Sequence, residues 1–145
     1  DEQGFYFYTN YQSAKGQELA ISPHCSIAIL WTSLDVQFRI TGTVEPTTSE
    51  QSDAYFASRP RESQIGAWAS NQSASIPDRS FLEGRIQYYT EKFEDLPVPR
   101  PAHWGGYRVA PSAIEYWVGH GYRIHDRHLY RRDANGTYHL SRLAP

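Results

Sequence analysis

Ser26-Ile27-Ala28-Ile29-Leu30-Trp31, Thr32-Ser33-Leu34-Asp35 and Val36-Gln37-Phe38-Arg39-Ile40-Thr41-Gly42-Thr43-Val44-Glu45-Pro46 run consecutively, and their reading decides the fold class. The first run is short, apolar and bounded by polar residues, which reads as a buried strand. The third reads as a longer strand that Pro46 terminates. The turn at Ser33-Leu34-Asp35 is too short for anything but a reversal, so the two strands form an antiparallel hairpin.

The same logic extends in both directions. Upstream, Phe5-Tyr6-Phe7-Tyr8-Thr9 is an aromatic strand, followed by a short helix over Ser13 to Ala20 that Pro23 closes. Downstream, Thr47 and Glu50 have capping-box spacing and introduce a helix from about Ser49 to Ser58, stopped by Pro60. A second helix is expected over Ser63 to Ala69. A third covers Ser80 to Phe93, with Phe81, Leu82, Ile86, Tyr89 and Phe93 on one face. Pro97-Val98-Pro99-Arg100-Pro101 is an extended connector. Strands follow at Gly106 to Val109, Ile114 to Val118 and His128 to Arg132. Asn135-Gly136, a type I′ turn signal, then leads into a last strand, Thr137 to Leu143. The chain is therefore mainly β with inserted helices. Its consecutive hairpins call for an antiparallel sheet closed as a small barrel, in one domain over residues 1–145.

Composition narrows the function. The 145 residues carry 14 Lys+Arg against 16 Asp+Glu, a net charge of −2, which argues against a nucleic-acid or anionic-membrane surface. Hydrophobic residues at 39% and charged residues at 21% fit a folded domain. No apolar run approaches the ~20 residues of a membrane-spanning helix. A single cysteine, Cys25, allows no internal disulfide and fits a reducing, cytoplasmic compartment. The chain opens inside a strand and lacks Met, so the native polypeptide is expected to be longer.

Two clusters could carry chemistry. Tyr55, Arg59, Arg61 and Ser63 group guanidinium and hydroxyl donors around Pro60, just where a helix opens, which suits a phosphate monoester. A solvated basic loop is the alternative. In an extended segment Arg123, His125 and Arg127 would share one face, either meeting an anion or electron-rich ring or guarding an exposed edge strand. The six histidines lack metal-ligand spacing, so no metal is expected. The aromatic residues, 14% of the chain, could form a cofactor platform or simply core.

The runs Phe7-Tyr8-Thr9-Asn10, Ser58-Arg59-Pro60-Arg61, Ser63-Gln64-Ile65-Gly66-Ala67-Trp68-Ala69-Ser70, Gln72-Ser73, Trp104-Gly105-Gly106, Arg123-Ile124-His125-Asp126-Arg127 and Arg142-Leu143-Ala144-Pro145 resemble the pyridoxamine 5′-phosphate oxidases. The resemblance extends from Gly4 to Pro145 in the family's order. It implies an FMN-binding split β-barrel, antiparallel and Greek-key-like, and a homodimer with FMN at its interface. It implies oxidation of pyridoxine or pyridoxamine 5′-phosphate to pyridoxal 5′-phosphate, with dioxygen reduced to hydrogen peroxide. Carried over by motif, Tyr8, Thr9, Lys15, Gln37, Gln72, Ser73, Trp117 and Arg127 are the flavin-contacting residues. Tyr55, Arg59 and Ser63 take the substrate phosphate, and Arg123 with His125 lies beside the substrate ring as the catalytic pair. The resemblance also implies an N-terminal helix and first strands upstream of Gly4. Two residues depart from the pattern: Ala14 stands where an Arg is usual, and Val118 where a Gln is common. A related flavin oxidase of the phenazine-biosynthesis type, or a non-catalytic flavin- or pyridoxal-phosphate-binding module, is the rival reading.

Overall fold

Trp31 and Val36 face each other across a three-residue helical turn, Thr32–Leu34, whose exit is Asp35 in the left-handed conformation. The hairpin read from the sequence is thus present, as β2 (His24–Trp31) and β3 (Val36–Pro46), with the register running back to His24 opposite Thr43. A computed structural model describes all residues, Asp1–Pro145. The other strands are β1 (Phe5–Asn10), β4 (Trp104–Val118), β5 (Asp126–Arg132) and β6 (Tyr138–Leu143). The helices are α1 (Ala14–Ile21), α2 (Ser49–Ser58), α3 (Arg61–Ala69) and α4 (Arg79–Lys92). They form two compact units. One comprises Asp1–Phe5, Pro23–Glu45 and Val109–Pro145; the other comprises Tyr6–Ser22 and Pro46–Arg108.

The first unit is sheet. Its strand order is β2-β3-β4-β5-β6, and the β2–β3, β4–β5 and β5–β6 pairs are antiparallel. Period-two alternation sorts its side chains onto two faces. Phe38 meets Tyr116, whose ring stacks on His128, on the same face as buried Ile40. Gln37, Arg39, Glu115, Trp117 and Arg127 occupy the opposite face, where Arg39 Nη1 lies 3.6 Å from Glu115.

Three expectations change here. The β2 strand is not buried, because it ends the sheet and pairs only with β3; Leu30 and Trp31 are both more than half exposed. Gly106–Val109 and Ile114–Val118 are not separate strands but parts of one long β4. Pro111 is tolerated within it because the β4–β5 ladder starts only at Ala113. The β5–β6 turn is not type I′, since only Gly136 has positive φ (87°). Gly136 N–H donates to Asp133 O and Asp133 N–H to Thr137 O, a type I turn followed by a glycine bulge.

The second unit holds β1, which pairs with β4, and the four helices. Its core is Phe56, Ile65, Phe93, Val98 and Trp104, with Tyr8, Trp68 and Tyr89 packed against it. The capping box that starts α2 is Thr48 with Gln51, one residue later than the Thr47–Glu50 spacing suggested. Helix α3 begins at Arg61, directly after Pro60, so Ser63 lies within its first turn instead of opening it. Proline's fixed φ suits a helix start and forces Arg59 before it to be extended (φ −75°, ψ 149°). The α4 face is only partly covered: Phe93 is buried, whereas Phe81 and Ile86 are exposed.

Candidate functional site

In the second unit, the end of α2 and the start of α3 place Tyr55 and Arg59 against the strands. Tyr8 and Tyr55 stack at 3.7 Å with rings 10° apart, and Trp104 lies parallel to both, at 5.6 and 6.2 Å. The Arg59 guanidinium sits 4.7 Å from the Trp104 ring centroid and 5.8 Å from that of Phe56. Its Nη1 is buried and has no hydrogen-bond partner. Burial pulls the Arg59 pKa below its ordinary value, with Tyr55 opposing. A buried charged donor left unpaired costs more than the ~1–3 kcal/mol of a neutral one, so the pocket suits an anion. Gln64 holds this corner by donating to Phe56 O and Arg59 O, a support the sequence reading missed. Arg61, grouped with Arg59 by spacing, instead donates to Phe93 O and Leu96 O at the end of α4. It is structural.

A second polar group in this unit joins β1, α1 and the segment after α3. Buried Thr9 donates to Gln72 Oε1 at 3.1 Å, and Asn10 N–H donates to the same oxygen at 3.2 Å. Lys15 Nζ donates to Thr9 Oγ at 3.5 Å. With its carbonyl occupied, Gln72 has its amide N–H donors left to offer. Ser73 follows with φ 71°, a left-handed turn that aims the chain back. A cleft of about 530 Å³ is bounded here by Asn10, Gln12, Ala14, Gln17, Gln72 and Ser73. Donors of this kind fit the carbonyl and phosphate oxygens of a flavin nucleotide. Ala14 places only a methyl group on the cleft.

The first unit carries the remaining assigned residues. Trp117 and Arg127 are paired in register across β4 and β5, on the same face as Gln37 of β3. Arg127 Nε donates to Glu115 Oε1 at 2.7 Å and its Nη1 to Ala144 O at 3.0 Å. The Arg127 hydrogen bond holds the Glu115 carboxyl below the usual carboxylate range, and the same bond raises the Arg127 pKa. Sequence reasoning missed Glu115. Its signal was a lone carboxylate in an apolar strand, with basic residues on both neighbouring strands. Trp117 and His125 are in ring contact at 4.6 Å. Arg123, His125 and Arg127 do not share one extended face as expected. Tyr122 and Arg123 are both left-handed (φ 59° and 65°), so Arg123 sits in an exposed turn ahead of β5.

Within each unit the structure therefore groups the assigned residues. Thr9, Lys15 and Gln72 form one cluster, Tyr8, Tyr55 and Arg59 a second, and Trp117, His125 and Arg127 a third. Ser63, on α3, is half-buried.

This antiparallel sheet with helices in its connections is the fold of the split-barrel class. A crystal structure of PhzG from Burkholderia lata 383, in complex with tetrahydrophenazine-1-carboxylic acid, matches all of this chain and 70% of that one. The TM-score is 0.90 and the identity 29%. A pyridoxamine 5′-phosphate oxidase-related, FMN-binding protein from Nostoc punctiforme PCC 73102 matches 97% of this chain and 72% of its own. Its TM-score of 0.72 at 16% identity is a likeness of fold alone. Residues 1–93 match the family described as pyridoxamine 5′-phosphate oxidase, and residues 104–145 the pyridoxine 5′-phosphate oxidase C-terminal dimerisation region. The pyridoxine/pyridoxamine 5′-phosphate oxidase 1 of Ralstonia nicotianae is 52% identical over 145 residues, covering all of this chain and 68% of that protein. The Burkholderia thailandensis oxidase is 53% identical over 147 residues, with the same coverage. The chain belongs to the pyridoxamine 5′-phosphate oxidase family. It carries that family's dimerisation region. No helix is long and apolar enough to cross a membrane.

Proposed function

We propose that this chain acts as an FMN-dependent oxidase that converts pyridoxine 5′-phosphate or pyridoxamine 5′-phosphate to pyridoxal 5′-phosphate, with dioxygen reduced to hydrogen peroxide and, for the amine, water consumed and ammonia released. The observation that carries the reading is Arg59, a guanidinium on an aromatic face whose buried Nη1 has no protein acceptor. A phosphate monoester supplies both the acceptor and the countercharge. Tyr55 and Ser63 add hydroxyl donors to the same clamp. Relatives about half identical over the whole chain, and named for this reaction, support the choice of vitamer.

FMN, when bound, supplies a hydride acceptor for the substrate's C4′ and a route for the electrons to dioxygen. Tyr8, Thr9, Lys15, Gln37, Gln72, Ser73, Trp117 and Arg127 are assigned to hold it. Arg59, Tyr55 and Ser63 grip the substrate far from the reacting carbon, so binding energy is available to orient that carbon. Arg123 and His125 are assigned beside the ring, where they limit its rotation. No protein nucleophile is required. The match to the dimerisation region supports a homodimer, with FMN assigned to its interface, and the expected compartment is the cytoplasm.

Anaerobic addition of pyridoxine 5′-phosphate to the flavin-loaded protein should bleach the visible flavin band. Air should then restore the band and release one peroxide per turnover. A band that neither B6 phosphate bleaches overturns the reading. The likeness to PhzG favours one rival, a phenazine-type flavin oxidase. Faster bleaching by tetrahydrophenazine-1-carboxylic acid than by either B6 phosphate would decide for it.

A further inference from the structure

Tyr122 and Arg123 are consecutive residues with side chains in left-handed backbone, a conformation that persists only where the surroundings over-determine it. The turn that contains them offers little burial to do so: Tyr122 is 97% exposed and Ile124 68%. Within the turn, one backbone bond, Ile124 N–H to Gly121 O at 3.3 Å, is marginal. What closes it is His120. Its Nε2 lies 3.1 Å from Asp126 Oδ2, joining the residue before the turn to the first residue of β5. At that neck the His120 backbone N–H donates to His125 Nδ1 at 3.2 Å. An imidazole nitrogen that accepts a hydrogen bond carries no proton, so the His125 proton sits on Nε2. Trp117 supports the other side of the ring.

We propose that His120 is a positioning residue. Its imidazole bridges to Asp126, keeps the strained Tyr122–Arg123 turn closed, and so presents Arg123 together with an His125 whose Nε2–H is the donor. His120 touches neither substrate nor cofactor in this scheme. It acts through the population of the closed turn. A partly open turn lowers apparent substrate affinity by the fraction of molecules closed and leaves the saturated rate unchanged. The link to substrate rests on the function proposed above, whereas the clamp itself does not.

The test uses the flavin-loaded protein, His120→Ala and His120→Gln, the latter keeping an N–H donor for Asp126. For His120→Ala, KM for pyridoxine 5′-phosphate should rise by at most about fivefold, the upper end for an exposed pair, with kcat unchanged. Amide hydrogen exchange at position 120, corrected for intrinsic rate, should quicken by a similar factor. His120→Gln should restore both. An unchanged KM, a kcat that falls in step with KM, or no rescue by Gln overturns the positioning role. Unchanged exchange in His120→Ala overturns the clamp. If the wild type oxidises no B6 phosphate, the functional reading fails, and the exchange rates alone still decide whether His120 holds the turn.

Discussion

Replacing Glu115 with Gln keeps the side chain's shape and deletes its charge, which isolates what the Arg127–Glu115–Arg39 cluster contributes. Glu115 is 8% exposed, accepts from Arg127 Nε at 2.7 Å and lies 3.6 Å from Arg39 Nη1. Removing one partner of a fully buried pair costs about 3–5 kcal/mol. Here the Arg127 side chain is 26% exposed and that of Arg39 59%, so water recovers part of the loss. One charge-assisted bond, about 1.5–3 kcal/mol, is then the better bound, and Arg39 adds little. The expected loss at pH 7 is about 2 kcal/mol, or roughly 4–8 °C in Tm for a chain of this size. Arg127 holds the folded-state Glu115 pKa below its unfolded value, so the unfolded chain binds more protons through this range. The contribution is therefore complete above the unfolded pKa of about 4.3 and is lost as pH falls through the lower folded value. Wild type and Glu115→Gln should differ in urea midpoint at pH 7 and converge in acid, once the wild-type carboxyl is itself protonated. A variant within about 0.5 kcal/mol of wild type at pH 7, or a gap that persists undiminished in acid, would refute this reasoning.

Four further outcomes are expected. Arg59→Ala should raise KM about ten- to hundredfold with a smaller fall in kcat, as loss of one charge-assisted contact made in ground and transition states alike predicts. Arg123→Ala should slow the limiting rate of anaerobic flavin reduction, read by stopped flow; a wild-type limiting rate there, with a reduced one in Arg59→Ala, would exchange the two roles. Ala14→Arg puts a guanidinium on the cleft beside Gln72 and should tighten FMN binding, by at most about a hundredfold. An unchanged dissociation constant by flavin fluorescence would show that Arg at this position makes no contact. Gly42→Ala would drive a methyl group into the Ala110 carbonyl and Pro111, costing about 1–3 kcal/mol in urea unfolding; a wild-type midpoint would mean that β3 and β4 yield there freely.

Element type was legible wherever local chemistry decides it. Ser13 caps α1 through its bond to Gly16 N–H, Pro60 separates two helices, and no helix or strand covers Pro97 to Pro101. What stayed hidden depends on partners distant in sequence. The apolar Ile29-Leu30-Trp31 run looks like core, and only the strand order shows that it lies at the sheet's end. The left-handed pair Tyr122–Arg123 contains no glycine or asparagine to announce it, so an extended reading was the natural one. Among site residues, Arg59 was recognisable by type and spacing, but its unpaired Nη1 was not. Equally, nothing local separates Arg59 from Arg61, two residues away, whose donors are spent on the end of α4.

The first compact unit is assembled from three separated segments, and the strand that joins the β2–β3 hairpin to β5 arrives only after the whole of α2, α3 and α4. On a ribosome adding about 5–20 residues per second, the hairpin waits on the order of 3–12 s for β4 to emerge. Through that interval both faces of a β-rich ribbon bearing Val36, Ile40 and Val44, all buried in the folded chain, are open to solvent and to other nascent chains. The second unit needs nothing beyond Arg108 and can consolidate first. Slow codons placed after β4 would leave a half-built sheet exposed, whereas slow codons within the helices would prolong only the hairpin's wait. Synonymous changes in these two places should therefore alter soluble yield unequally, with no change in the protein made.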